Sequence, residues 1–346
     1  MDYRNLGKTG VVVSRYCLGA MMFGAMGNRD HYDCVRIIHR ALDAGINFID
    51  TADAYSRGES EAIVAKALKG RRDDVIVATK FFNHMRPDNP NTRGGSRLWI
   101  TAAVEDSLRR LDTDHIDLYQ MHRPDERVDV EETLGALTDL VRQGKVRMIG
   151  HSAYPAERVV EAQWVSEKMA LARFRCEQAP YSMMRRSIER AVLPTCSRYG
   201  MGVITYSPLA GSWLSGKYKV LSDVPETSRL NTMARRFGSG LDSPINRRRL
   251  EVAVQLGEIA DKRGLPLAHM ATAWAMEHPD VTSVIIGPRT MEQLDDLLTC
   301  VDTRLDAEVL DEIDTIVGPG VDVIPNDPTT DPSSLAAPRR RRRRTS

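Results

Sequence analysis

Asp50, Tyr55, Lys80 and His122 are the residues of this chain whose types and placement could do chemistry together. The short apolar run Asn47–Ile49, flanked by turn and charged residues, reads as a buried parallel strand. It stops at the carboxylate of Asp50, with Tyr55 on the loop that leaves it. Val75–Thr79 runs into Lys80 in the same way, and Asp117–Met121 into His122. A phenol titrates near pH 10 and is a poor acid at neutral pH, but an ammonium group beside it stabilises the phenolate and makes it a better donor. Lys80 supplies that charge, and Asp50 the counter-charge that keeps Lys80 protonated away from water. A neutral His122 can donate a hydrogen bond to an oxygen that is becoming negative. Singly, each residue has an ordinary explanation: a helix cap, a surface aromatic, a solvated lysine, a satisfied histidine at a rim. Together, at successive strand ends, they point to proton transfer.

Only a set of parallel strands can bring such residues to one edge. Strand-like runs fall at Tyr16–Leu18, Asn47–Ile49, Val75–Thr79, Asp117–Met121, Arg147–Ile149, Cys176–Gln178, Gly202–Tyr206 and Ser283–Ile286. Between them lie helical patterns such as Val35, Ile38, Leu42 and Val130, Leu134, Leu137, Val141. Eight β/α alternations predict an α/β fold closed as a (β/α)8 TIM barrel, whose chemistry sits at the carboxyl ends of the strands. Ahead of it, Tyr3–Leu6 and Val11–Ser14 around a glycine-bounded turn predict an N-terminal β-hairpin. After it, Asp306–Val317 predicts an extra C-terminal helix ended by Gly318-Pro319-Gly320. Two connections, Phe81 to Trp99 and Ser212 to Asn246, exceed simple turns and are expected to wall a pocket at the barrel mouth. Arg86, Arg93 and Arg97 in the first of them could favour an anionic substrate, although a solvated loop is the more ordinary account, and Phe23 and Trp213 could supply apolar walls.

In this region the chain resembles the aldo-keto reductase superfamily, and within it the bacterial aldo/keto reductases related to potassium-channel beta subunits. The resemblance runs from Tyr3 to about Val317 and is carried by GINFIDTADAYSRGESE, VIVATKF, SLRRLDTDHIDLYQMHRPD, GKVRMIGHSAY, CEQAPYS, VITYSPLAGSWLSGKY and VIIGPRTMEQL, in that order. It implies a catalytic tetrad at Asp50, Tyr55, Lys80 and His122, with Tyr55 as general acid in the reduction of aldehydes or ketones by NADPH. It also implies that Ser152 and Gln178 hold the nicotinamide carboxamide and Tyr206 stacks on the ring. Ser207, Leu209, Gly211 and Lys217 would surround the pyrophosphate. Gly287 and Arg289 would lie at the 2′-phosphate, where a guanidinium near a helix amino end suits an anion; Gln293 and Asp296 would face the adenine. Two residues depart from the family's pattern: Ala153 replaces a polar residue after Ser152, and Asp296 puts a carboxylate where Asn is common. The second weakens the expected preference for a phosphorylated cofactor.

The rest of the sequence bounds these expectations. No G-x-G-x-x-G follows an early strand, and Gly211 to Lys217 approaches a phosphate loop but has Tyr218 where Ser or Thr would hold magnesium. No H-x-H or H-E-x-x-H pair marks a metal site, so no metal is expected. Hydrophobic residues make up 42% of the chain and charged residues 27%, ordinary for a protein with a sizeable core. The opening Met-Asp-Tyr-Arg-Asn has no apolar run, so a signal peptide is not expected and a cytoplasmic location is. Five scattered cysteines without a C-x-x-C pair predict reduced thiols. Residues 1–320 are expected to form one barrel and 321–346 a disordered tail with an arginine run. Without Arg339 to Arg344 the formal +1 charge becomes negative, so no nucleic acid or membrane partner is expected of the folded body. A small carbonyl compound is the expected partner, with the oligomeric state left open. A non-catalytic, nicotinamide-cofactor-binding regulatory subunit is the alternative, disfavoured by the intact set of four.

Overall fold

The computed structural model describes residues 1–228, 230–232 and 240–324. Two short strands, β1 (Tyr3–Asn5) and β2 (Val12–Ser14), form an antiparallel hairpin. Eight more follow: β3 (Tyr16–Gly19), β4 (Phe48–Asp50), β5 (Ile76–Phe81), β6 (Ile116–Met121), β7 (Val146–Ser152), β8 (Cys176–Pro180), β9 (Gly202–Tyr206) and β10 (Ser283–Ile286). They close in the order β10-β3-β4-β5-β6-β7-β8-β9, every pairing parallel. The expected (β/α)8 barrel with an N-terminal hairpin is the fold.

Strand alternation decides what faces inward. Cys17, Phe48, Ala78, Leu118, Cys176, Ile204 and Ile285 form one apolar cluster with Leu6 and Val13 of the hairpin, so the hairpin closes the end of the barrel where the strands begin. Side chains on a strand repeat every second residue. Two residues beyond that cluster, the inward positions are Asp50, Lys80, Gln120, Gln178 and Tyr206, and the polar set therefore lies at the opposite end. The outward positions, Ile49, Val77, Tyr119, Ile149 and Val203, join the larger core beneath the helices.

Helix boundaries follow their caps. Asp30 accepts from the backbone of Tyr32 and Asp33 at the start of His31–Asp43, Ser96 from Trp99 at the start of Arg97–Leu111, and Thr290 from Gln293 at the start of Met291–Thr299. Ser243, with Pro244 at the first helical position, opens Pro244–Lys262. The next helix, Leu267–Glu277, is buried on nearly every side and so carries no amphipathic stripe. The extra C-terminal helix spans Ala307–Ile316, capped by Asp306. The chain stays docked past the boundary expected at 320: Asp322 Oδ1 accepts from the amides of Arg186 and Ser187, and Val323 N donates to Met184 O. The rest of the expected tail, from 325 onward, lies outside the described residues. All five cysteines are buried and unbonded.

The hairpin turn sits tightly on the barrel. Gly7 has φ +56°, and a Cβ there would stand 2.4 Å from both Gly200 O and Gly202 N. Gly7→Ala is therefore expected to lower unfolding free energy by on the order of 2–3 kcal/mol, read as a lower denaturant midpoint. An unchanged midpoint would show that the turn relaxes away from β9.

Candidate active site

Asp50 ends β4 and Lys80 lies one residue from the end of β5, on strands that neighbour each other. Lys80 Nζ donates to Asp50 Oδ2 at 2.6 Å, to Thr51 O at 2.8 Å and to the Tyr55 hydroxyl at 3.4 Å. Lys80 is fully buried. Burial opposes its charge, but Asp50 and the Tyr55 oxygen outweigh that and move its pKa above the ordinary lysine value. The other carboxylate oxygen of Asp50 accepts from Gln178 Nε2 at 2.8 Å and Gln120 Nε2 at 3.3 Å. Three donors thus hold one buried carboxylate in place, which offsets its desolvation.

Tyr55 opens a short turn, Tyr55–Gly58, in which Ser56 and Arg57 adopt left-handed backbone. Its ring is half-buried and meets that of His122 edge-on, centroids 5.8 Å apart at 82°. The Tyr55 pKa is a correction to the sequence reading. Burial raises it above the ordinary phenol value, and Lys80, although it pulls the other way, does not reverse the shift. Lys80 therefore makes Tyr55 a better acid than burial alone would leave it, without making it a strong one.

His122 directly follows β6, and Asn83 Nδ2 donates to its Nδ1 at 3.0 Å. A ring nitrogen that accepts carries no proton, so Nε2 is the protonated one. Burial, then Lys80 and Arg123, hold the His122 pKa well below the ordinary histidine value, so the ring is neutral at physiological pH. The arrangement combines a buried cation, a phenol in its reach and a neutral imidazole with one fixed N–H donor. It can give a proton to an oxygen placed between Tyr55 and His122 while steadying charge on that oxygen.

The other expected site residues lie along the same rim. Ser152 ends β7; its hydroxyl donates to Gln178 O at 2.9 Å and accepts from Arg123 Nη1 at 3.4 Å. Ala153 takes left-handed backbone, φ +57°. Tyr206 ends β9 half-buried, and Ser207, Leu209, Gly211 and Lys217 follow on the loop that leaves it. Ser207, Ala210, Gly211 and Ser212 all have positive φ next to a right-handed Leu209. Within this loop the amides of Ala210 and Ser212 already donate to Ser207 O and Leu209 O. The absent Cβ of Gly211 would meet nothing within 4 Å, and the same is true of Gly287. These features fit a polyphosphate-bearing cofactor along the rim. Arg289 is exposed, its backbone N–H bound by Gln293 Oε1 at 2.8 Å and its carbonyl by Asn28 Nδ2 at 3.1 Å. Gln293 therefore braces its own turn. Asp296 pairs with His269 Nε2 at 3.0 Å, so its carboxylate has a partner.

Of the residues expected about the pocket, Phe23 needs correction, while Arg86 and Arg97 follow the ordinary loop account. Arg86 is paired with Asp106, and Arg97 with Glu132 and Asp139, in exposed ion pairs. Phe23 is fully buried and offers no wall, whereas Trp213 is half-buried. Sequence reasoning missed Gln120, Asn83 and Arg123. Gln120 had a signal, since it precedes His122 by two residues and shares its face. Asn83 had none, because it reaches His122 from a different loop.

The aldo/keto reductase family model matches residues 15–317. "Uncharacterized oxidoreductase YrpG" of Bacillus subtilis is 38% identical over 331 residues, spanning 92% of this chain and 97% of its own. "Aldo-keto reductase YhdN" of the same organism is 34% identical over 322 residues, 92% and 94% of the two chains. A "probable voltage-gated potassium channel subunit beta" of Oryza sativa is 34% identical over 329 residues, 92% and 97%. No helix among the described residues is long and apolar enough to cross a membrane. Given a family match from β3 to the last helix and relatives that align over nearly their full length, this chain belongs to the aldo/keto reductase family.

Proposed function

We propose that the protein reduces aldehydes or ketones to alcohols with NADPH, and that Tyr55 is the general acid. The observation that carries this reading is the position of Lys80 Nζ, within hydrogen-bond reach of both Asp50 and the Tyr55 hydroxyl. Bound at the rim, the nicotinamide cofactor would supply the hydride for the carbonyl carbon. His122 orients the carbonyl through its Nε2 proton and stabilises charge on the oxygen. Tyr55 passes its proton to that oxygen, and the charge left on the phenolate is balanced by Lys80, whose own charge is held by Asp50.

Several chain groups have donors or lone pairs to spare for the cofactor. Ser152, its proton committed to Gln178 O, offers a lone pair to the carboxamide N–H, and Gln178, its nitrogen committed to Asp50, offers its carbonyl oxygen. Tyr206 provides a half-exposed ring for stacking. Ser207, Leu209, Gly211 and Lys217 would hold the pyrophosphate, Gly287 and Arg289 the 2′-phosphate. Gln293 and Asp296 would face the adenine.

Purified protein supplied with NADPH and a panel of aldehydes should consume nicotinamide absorbance. No turnover of any carbonyl would leave the regulatory-subunit reading, which the name of the Oryza relative supports. Arg289→Ala should reduce the ratio of catalytic efficiencies, NADPH over NADH, by about tenfold, the lower range for an exposed charge-assisted contact. An unchanged ratio at fixed ionic strength would remove Arg289 from the phosphate site.

A further inference from the structure

Arg123 follows His122 directly and is half-buried at the seam between the ends of β6 and β7. Its Nη1 donates to His122 O at 2.7 Å and to Ser152 Oγ at 3.4 Å, which fixes the guanidinium beside the tetrad. Among the described residues those are its only hydrogen-bond partners, and none of them brings a carboxylate within ion-pair distance. Its Nε and Nη2 spend no hydrogen bond on the described residues and neither is sealed from solvent, so both are open to an incoming anion.

The surrounding charges leave that anion to come from outside. Asp50 is neutralised by Lys80, Asp125 is bound by Arg127, and burial holds the carboxyl of Asp53 well above the usual carboxylate range. The positive charge of Arg123 reaches both reacting groups: it adds to the downward pull on Tyr55 and His122. A planar fork with two free donors matches a carboxylate bidentately, where a lysine would present only a point charge.

We propose that Arg123 is a specificity-determining residue which binds the carboxylate of the carbonyl substrate, so that the preferred substrates are aldehydes or ketones bearing a carboxylate near the reacting carbonyl. This rests on the reductase reading above. A carboxylate on the Arg123 fork lies beside the place where Tyr55 and His122 meet the carbonyl oxygen, and so it selects acids and orients them through one contact. Ser152 and Gln178 remain free to serve the cofactor.

The test uses matched pairs that differ only in charge: 4-carboxybenzaldehyde with its methyl ester, and 4-oxobutanoate with its methyl ester. With the full chain and NADPH, kcat/KM for each acid should exceed that for its ester by about tenfold, mainly through KM. Arg123→Gln should cut the acid-to-ester ratio by about tenfold, and Arg123→Lys should keep part of it. Independently of any variant, benzoate should compete with an ester substrate at lower concentration than benzamide does. Esters preferred in the wild type, or benzamide inhibiting as well as benzoate, would overturn the assignment while leaving the reductase reading intact. An unchanged ratio in Arg123→Gln with a raised KM for NADPH would also overturn it and move Arg123 to the cofactor carboxamide. Turnover of neither acid nor ester would sink both readings.

Discussion

Tyr55→Phe should lower kcat for carbonyl reduction by about 10²- to 10⁴-fold, the usual range for removing a positioned general acid, while NADPH affinity stays nearly unchanged. The ring of Phe keeps the edge-on contact with His122 and loses only the hydroxyl that Lys80 Nζ reaches at 3.4 Å. Binding energy that resides in the ring is retained, so the loss falls on the step in which the proton moves. The direction of the Tyr55 shift adds a condition on pH. Because burial raises its pKa and Lys80 only partly reverses this, the phenol keeps its proton through neutral and mildly alkaline pH. Wild-type reduction should then be flat with pH until the ordinary phenol value of about 10 is approached, apart from any pH dependence of binding. Cofactor titration, and kcat measured for both proteins from pH 6 to 10, decide the matter. A Phe variant with half the wild-type rate would show that another group gives the proton, and a wild-type rate that falls near pH 7 would show that Lys80 outweighs burial after all.

The barrel was legible because its logic is local. Each strand announces itself as a short apolar run ending in a polar residue, and a period of two then fixes that Asp50 faces the same way as Phe48, Lys80 as Ala78, and Gln178 as Cys176. That Asp50, Tyr55, Lys80 and His122 meet at one end of the barrel was legible for the same reason. What sequence spacing could not carry was everything set by contacts across loops. Asn83 fixes the His122 tautomer from the β5 loop, His269 reaches Asp296 across the last β/α unit, and Arg86 and Arg97 turn to carboxylates on helices. The Tyr55 pKa was misread through a balance of magnitudes: the sequence names the cation, but only the packed structure says how much water the phenol loses. Leu267–Glu277 illustrates another limit, since a helix buried all round has no periodic face to read.

Asp50→Asn should be the most damaging single substitution at the site, costing about 3–5 kcal/mol of stability at neutral pH together with nearly all activity. Asparagine preserves shape, and its carbonyl oxygen can still accept from Gln178 and Gln120. Its amide, however, would present N–H groups to the ammonium of Lys80, now 2.6 Å away from a carboxylate oxygen and fully buried. An uncompensated buried lysine has its pKa driven down. The sign of the pH dependence follows from linkage. In the wild type the Lys80 pKa lies above the unfolded value, so its contribution is complete below about pH 10.4 and is lost as pH rises through the folded pKa. In the variant the folded pKa lies below 10.4, so the unfolded state binds more protons in that window and stability rises with pH. The gap between the two proteins should therefore shrink from pH 7 to pH 10. Adding Lys80→Met to Asp50→Asn should recover much of the stability, because no buried charge remains, and none of the activity, because Tyr55 has lost its cation. Urea denaturation at both pH values supplies the measurement. A gap that is constant with pH, or a double variant no more stable than the single, would mean that Asp50 acts through its hydrogen bonds to Gln178 and Gln120 and not as the counter-ion of Lys80.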